Sequence, residues 1–294
     1  MFKTKKDGWE KEAIDNMRNE LEGYVKRAGL KSLVLGVSGG IDSALIAALA
    51  APVCEKLGIE LIGISIPIKT NKDDEIDRAK QIGFGFCTQF KEESMDIDFD
   101  TVSDIISVNN TDFAFKSNSL SINELANQKQ NKIRQGNIKA RLRMIMLYDI
   151  ASATKGMVLS TDNYTEYLLG FWTLHGDVGD YGLIQKLWKT EVYQIAHYIF
   201  THELTGNPQQ ALLNCIRATA TDGLGITNSD IDQIMPEFKG TSKEGYEEVD
   251  KMLYTYCVAG NKIFEADPVI QRHLKSAFKR HNPFNISREL IIKE

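Results

Sequence analysis

Leu35-Gly-Val-Ser-Gly-Gly-Ile-Asp-Ser-Ala44 decides the fold. Before it lies Ser32-Leu-Val-Leu-Gly-Val37, a short apolar run with no polar alternation. Such a run reads as a strand buried on both faces, which belongs to a parallel sheet covered by helices. After it, Asp42–Leu57 is rich in Ala and Leu and reads as a helix. The Gly-Gly turn between them would open at a helix N-terminus. There, free backbone N–H groups and the helix dipole favour an anion. Gly39 and Gly40 allow close backbone approach, and Ser38 and Ser43 add hydroxyl donors. No lysine follows the second glycine, so the turn is not a Walker A loop, and Gly-x-Gly-x-x-Gly is absent. Asp42 would repel phosphates unless a Mg²⁺ ion lay between them. Read locally, the same residues also suit an ordinary strand-to-helix turn with Ser or Asp caps.

The rhythm continues outward. Trp9, Ala13, Met17, Leu21, Tyr24 and Val25 recur at helical spacing ahead of Gly29. Glu60–Pro67 is a second buried strand, and Asn71–Ile82 a charged helix. Gly83–Ser94 reads as irregular. Asp98–Val108 and Ile122–Arg134 read as helices joined by a polar segment. Asn137–Thr154 reads as a separate helix with Ile138, Leu142, Ile145, Met146 and Ile150 on one face. Met157–Ser160 is a third buried strand, Trp188–Phe200 a helix, Thr219–Asn228 a loop and Ser242–Tyr256 a late helix. The expectation is an α/β fold: a Rossmann-like parallel sheet flanked by helices, with a helical C-terminal extension. No Pro- or Ser-rich linker divides residues 1–294, so a single domain is expected.

Composition narrows the function classes. The 294 residues carry 35 Lys and Arg against 40 Asp and Glu, a net charge of −5, so no overall basic field favours nucleic acid. Cys54, Cys87, Cys215 and Cys257 form no CxxC pair, which argues against a zinc knuckle or dithiol centre. The charged start MFKTKKDGWEKEAID is unlike a signal peptide, and no apolar run approaches the ~20 residues that span a bilayer. A cytoplasmic protein is expected.

SGGIDS resembles the SGGxDS pyrophosphate loop of the ATP pyrophosphatases. Further segments resemble the NAD synthetases within that superfamily: Gly136-Asn-Ile-Lys-Ala-Arg-Leu-Arg-Met144, Ser160-Thr-Asp-Asn-Tyr-Thr-Glu166, Gly170-Phe with Gly176-Asp177, Leu187-Trp-Lys-Thr190, Thr221-Asp-Gly-Leu224 and Phe278-Lys-Arg-His-Asn-Pro283. The resemblance is to the short, ammonia-dependent form with no glutaminase domain. It implies that the carboxylate of deamido-NAD attacks the α-phosphate of ATP, giving an adenylate and pyrophosphate. Ammonia then displaces AMP to give NAD.

Residue by residue, the resemblance implies that Ser38, Gly39, Gly40 and Ser43 cradle pyrophosphate. Asp42 and Glu166 would bind Mg²⁺. Thr161, Lys189 and Thr221 would contact ATP, with Asp42 and Lys189 acting in catalysis. Arg141, Asp180 (its register good to one residue) and Lys279 would contact deamido-NAD. It also implies a homodimer. Local readings remain for each: Glu166 as a solvated helix residue, Arg141 and Arg143 as surface charges, Lys189 as a partner of Glu191. Three positions depart from the family pattern. Ser65 stands where an ATP-contacting Arg is common, Leu174 in place of a Lys and Phe278 in place of a His. Leu174 and Phe278 leave nicotinate mononucleotide or another carboxylate as an alternative acceptor, and a non-catalytic ATP-binding relative is a separate reading.

Overall fold

The structure is a computed structural model that describes residues 5–110, 124–221, 227 and 229–292. Helix α1 (Trp9–Ala28) presents Ile14, Leu21 and Val25 to the core. It ends where Gly29 takes a left-handed φ of 66°, a conformation that glycine adopts without a Cβ penalty. Then β1 (Ser32–Gly36) leads into α2 (Ile41–Leu57), and β2 (Glu60–Ser65) into α3 (Asp73–Phe86). After β3 (Gln89–Glu92) come α4 (Asp96–Asn110), α5 (Glu124–Ala153) and β4 (Gly156–Val158).

The four strands are parallel in the order β3-β2-β1-β4. The chain therefore leaves β1 to one side through α2 and returns to its other side through α4 and α5. Crossovers that part on either side of one strand open a crevice at the strands' carboxyl ends, where open α/β sheets bind ligands. Leu33 and Leu35 of β1 pack with α1, α2 and later helices on one face of the sheet. Val34, Ile62 and Ile64 pack with α4 and α5 on the other.

Helix α6 (Tyr164–Leu169) and α7 (Lys189–His202) follow β4, then α8 (Gly206–Arg217) and α9 (Asp230–Ile234). The C-terminal extension is α10 (Ser242–Leu253), a π-turn over Tyr254–Val258, α11 (Pro268–Lys275), α12 (Ala277–Arg280) and α13 (Arg288–Ile291). It has its own apolar cluster, in which Tyr246, Val249 and Leu253 of α10 meet Leu168 and Leu169 of α6 and Ile270 of α11. Among the described residues no helix is long and apolar enough to cross a membrane.

Three local expectations are corrected. Gly83–Ser94 is not irregular: α3 runs through Gly83 and Gly85 to Phe86, and Gln89–Glu92 forms a strand. Gly83 is there for space, since a Cβ would lie 2.0 Å from the Phe90 ring. The strand escaped notice because it lies at the sheet edge, where polar side chains suffice. Met157 therefore belongs to the fourth strand, not the third. The two helices expected on either side of Gly136 are one, α5. One glycine costs a helix about 1 kcal/mol, less than tertiary packing returns. The polar segment expected between helices falls largely outside the described residues, as does much of the Thr219–Asn228 loop.

His273 of α11 lies against α6, its Nδ1 2.8 Å from the Leu168 carbonyl. Burial holds its pKa below the ordinary 6.5, against that hydrogen bond. A His with a depressed native pKa stabilises the fold above its unfolded pKa, and that contribution is lost as pH falls toward the native one. Melting temperatures measured from pH 7.5 down to about 5.5 should therefore fall more steeply for the wild type than for His273→Gln. Parallel curves would contradict this.

Candidate active site

The turn after β1 is shaped by its own serines. The Ser43 hydroxyl donates to the Gly40 carbonyl at 3.1 Å and lies 3.1 Å from Ser38 Oγ. Ser38 Oγ accepts the Gly40 N–H at 3.2 Å. Helix α2 has no side-chain cap, so its first N–H groups have no intrahelical partner and face the crevice. Gly39 has φ 79°, and a Cβ there would lie 2.2 Å from the Glu75 carbonyl oxygen of α3. Gly39→Ala is therefore expected to cost about 2 kcal/mol or more. The check is a thermal melt, which should drop by several degrees.

A cavity of about 450 Å³ opens at this turn, within the range of small-molecule sites. Ser38, Gly40, Asp42 and Ser43 line it on one side. Thr161, Glu166, Lys189, Thr221 and Lys279 line it on others. In its wall, Lys189 Nζ donates to Asp42 Oδ2 at 2.5 Å and to Glu166 Oε1 at 3.0 Å. The lysine is 2 % exposed. Burial would lower its pKa, but the two carboxylates outweigh that and hold it well above the ordinary value. Burial pushes Glu166 up to about 7, with Lys189 opposing and Asp42 adding to the rise. Burial likewise raises Asp162 well above the usual carboxylate range, helped by Asp177 and Glu166.

Local structure explains the convergence. Asp42 sits in the first turn of α2 and Lys189 opens α7. Asn163 caps α6: its side chain accepts the Glu166 N–H at 3.0 Å, and its own N–H donates to Glu166 Oε2 at 3.3 Å. The same side chain donates to Asp42 Oδ1 at 2.9 Å. Asn163 therefore spaces the two acids, a role the sequence reading missed. Its only signal was the capping pattern Asn163-x-x-Glu166. Glu191, the local partner suggested for Lys189, instead accepts the Trp188 N–H and pairs with Lys5.

Not every expected residue comes in. Gly39 does not line the cavity; its carbonyl accepts from Arg78 Nε at 3.0 Å. Thr221 does line it, but its hydroxyl donates to Glu75 Oε1 at 2.7 Å. Arg141 is exposed outside the cavity and donates to the Leu174 carbonyl at 3.1 Å. Asp180 also lies outside and accepts from Tyr148 Oη at 2.9 Å and the Val158 N–H at 3.1 Å. Lys279 reaches the wall, where Nζ donates to the Gly170 carbonyl at 2.8 Å and to that of Trp172. Arg143, readable as a surface charge, instead lines the cavity and donates to the Ile66 carbonyl and Asn71 Oδ1, each at 2.9 Å. Of the departures, Ser65 lines the cavity, while Leu174 and Phe278 are not among its lining residues.

Comparison with known proteins decides the family. The NAD synthase family model matches residues 13–283. The chain belongs to the NAD synthase family. It is 31% identical to the NH(3)-dependent NAD(+) synthetase of Pyrococcus horikoshii, over 92% of this chain and 93% of that one. It is 32% identical to that of Methanococcoides burtonii, over 92% and 91%. Among solved structures it shares its fold with the NMN synthetase of Francisella tularensis, at TM-score 0.69 and 21% identity over 95% and 97% of the chains. It also shares it with the NH3-dependent NAD synthetase of Campylobacter jejuni, at TM-score 0.62 and 22% identity over 95% and 99%. The parallel sheet with helices on both faces is thus the expected α/β architecture.

Proposed function

We propose that this NAD synthase family member is a C–N ligase that amidates deamido-NAD with ammonia, consuming ATP and releasing AMP and pyrophosphate. The observation that carries the reading is the uncapped N-terminus of α2 beside the Lys189–Asp42–Glu166 cluster in one cavity. Close relatives over nearly the whole chain bear the name of that activity.

The first N–H groups of α2, with Ser38 and Ser43, hold the pyrophosphate end of ATP. Lys189 supplies positive charge where negative charge gathers on the leaving pyrophosphate. Electrostatic stabilisation and positioning are the whole demand of such a transfer, and no protein nucleophile takes part. Thr161 and Thr221 take further ATP contacts, Thr221 by exchanging its bond to Glu75. Lys279, with Arg141 and Asp180 from outside the cavity, serves the deamido-NAD end. Ammonia then attacks the adenylated carboxyl and expels AMP.

The donor set suits Mg²⁺. Asp42 and Glu166 converge within hydrogen-bond reach of one cation, Lys189, in the cavity wall. Among the described residues no three His, Cys, Asp or Glu gather as a metal site. Two carboxylates that leave the remaining positions to phosphate oxygens and water are what Mg²⁺ commonly takes. When bound, the ion would neutralise phosphate charge.

The test is a product assay with ATP, Mg²⁺ and ammonium, run with deamido-NAD and with nicotinate mononucleotide. AMP together with NAD from the dinucleotide is expected. AMP from the mononucleotide alone, or from neither, would overturn the reading. The active form is a homodimer in the cytoplasm; light scattering should give twice the chain mass. The half-exposed Ile133 and Ile145 of α5 suit such a contact.

A further inference from the structure

Helix α10 brings two polar side chains with no exposure, Tyr246 and Asp250, to the lysine cluster. They stand one helical turn apart, so they share a face. The Tyr246 ring lies 5.3 Å from Lys189 Nζ, and its hydroxyl donates to Asp230 Oδ2 at 3.1 Å. The Asp250 carboxylate divides its oxygens. Oδ1 accepts the Thr165 hydroxyl, and Oδ2 accepts the Thr190 N–H at 2.9 Å. Thr165 Oγ1 in turn accepts the backbone N–H of Lys189 at 2.9 Å.

Thr165 precedes Glu166 in the first turn of α6, and Thr190 follows Lys189 in the first turn of α7. One buried carboxylate therefore ties together the starts of the two helices that carry the cluster's acid and base. Burial pushes its pKa up to about 6, and the hydrogen bonds from Thr165 and Thr190 oppose that rise. Charge-assisted hydrogen bonds at both ends also fix direction, which apolar packing between the helices would not.

We propose that Asp250, acting through Thr165, is a positioning residue that sets Lys189 against Glu166 and Asp42. The proposal rests on the ligase reading of that cluster. It gives the C-terminal extension a part in the reaction without contact to substrate.

The test uses the full chain and leaves Asp250 in place, because its removal would strand the donors of both Thr165 and Thr190, whereas Thr165→Val strands only the Lys189 N–H. Thr165→Val keeps shape and loses the hydroxyl relay; Thr165→Ser keeps the relay. Val249→Ala, on α10 beside Asp250 and fully buried, controls for lost stability. Thr165→Val should lower kcat for AMP release about 10- to 100-fold, with KM for ATP and deamido-NAD changing less than about 3-fold. Thr165→Ser should restore kcat to within about 3-fold of wild type, and Val249→Ala should stay within the same limit despite an equal or greater loss of Tm. Backbone hydrogen exchange over residues 188–192 should quicken in Thr165→Val alone.

A kcat loss in Val249→Ala that matches Thr165→Val would overturn the proposal, as would unchanged exchange in Thr165→Val. If the wild type makes no AMP from deamido-NAD, the ligase reading fails. The exchange measurement still decides the tether in that case.

Discussion

Asp42→Asn is expected to reduce pyrophosphate release by at least about 10²- to 10³-fold, the range for removing one well-placed electrostatic contact at a reacting centre. The substitution changes few atoms, so its effect is electrostatic. Asp42 Oδ2 accepts from Lys189 and Oδ1 from Asn163. An amide offers one acceptor oxygen, so one of those two donors must face an NH₂ group. The cluster also loses a full negative charge, and a neutral amide would be a poor ligand for the divalent ion proposed to bind there. The first residues of α2 are otherwise untouched, so Tm should move by only a few degrees. Turnover within about tenfold of the wild type would remove Asp42 from the reaction.

Lys189→Met should produce a double loss, in stability and in rate. The ammonium is buried and pairs with two acids. Removing one member of a buried ion pair typically costs about 3–5 kcal/mol, because the partners are left uncompensated. Asp42 and Glu166 would then face each other with only Asn163 between them. The thermal transition should fall accordingly, and kcat should drop by about 10²- to 10³-fold with the loss of positive charge beside the leaving group. Lys189→Arg should not rescue the rate. A planar guanidinium delivers its donors as a fork, and this site receives a single compact charge on two acids from a tight pocket. The comparison separates the two losses: Lys189→Arg should regain much of the Tm while staying slow. An active Lys189→Met protein would reduce the lysine to a structural ion.

The two variants bear on the part of the site that was most legible. The turn from Leu35 to Ala44 could be read because its physics is local: a buried strand, two glycines and an alanine-rich helix mark a strand-to-helix turn without tertiary information, and only the family motif favours an anion there over an ordinary capped turn. Glu166 and Lys189 were legible only through their motifs. Nothing local told that they would meet Asp42 across separations of more than a hundred residues. Asn163 and Asp250 were not legible for the same reason, since a capping Asn and a mid-helix Asp look ordinary until their partners arrive.

Polarity misled in both directions. Gln89–Glu92 forms a strand although its side chains lack an apolar pattern, because an edge needs only its backbone paired. Arg143 looked like a surface charge, yet it reaches the cavity wall because Ile66 and Asn71 are brought to it by β2 and the turn before α3. Arg141, two residues away on the same helix, points to a different neighbourhood, as positions two apart on a helix must.

Helix α2 has buried residues almost throughout its first ten positions, from Ile41 to Ala50, with Asp42 half-buried. The consequence concerns how this protein can change over generations or in the hands of an engineer. A randomised library over that helix should return mostly inactive clones, because each added methylene must displace packed neighbours. Variation that survives selection should gather instead on the solvent-facing positions of α1, such as Glu12 and Asp15, and on the exposed surface beyond α12. The segment proposed to receive phosphate is thereby the least able to drift, and new acceptor preferences must be sought in the walls around it.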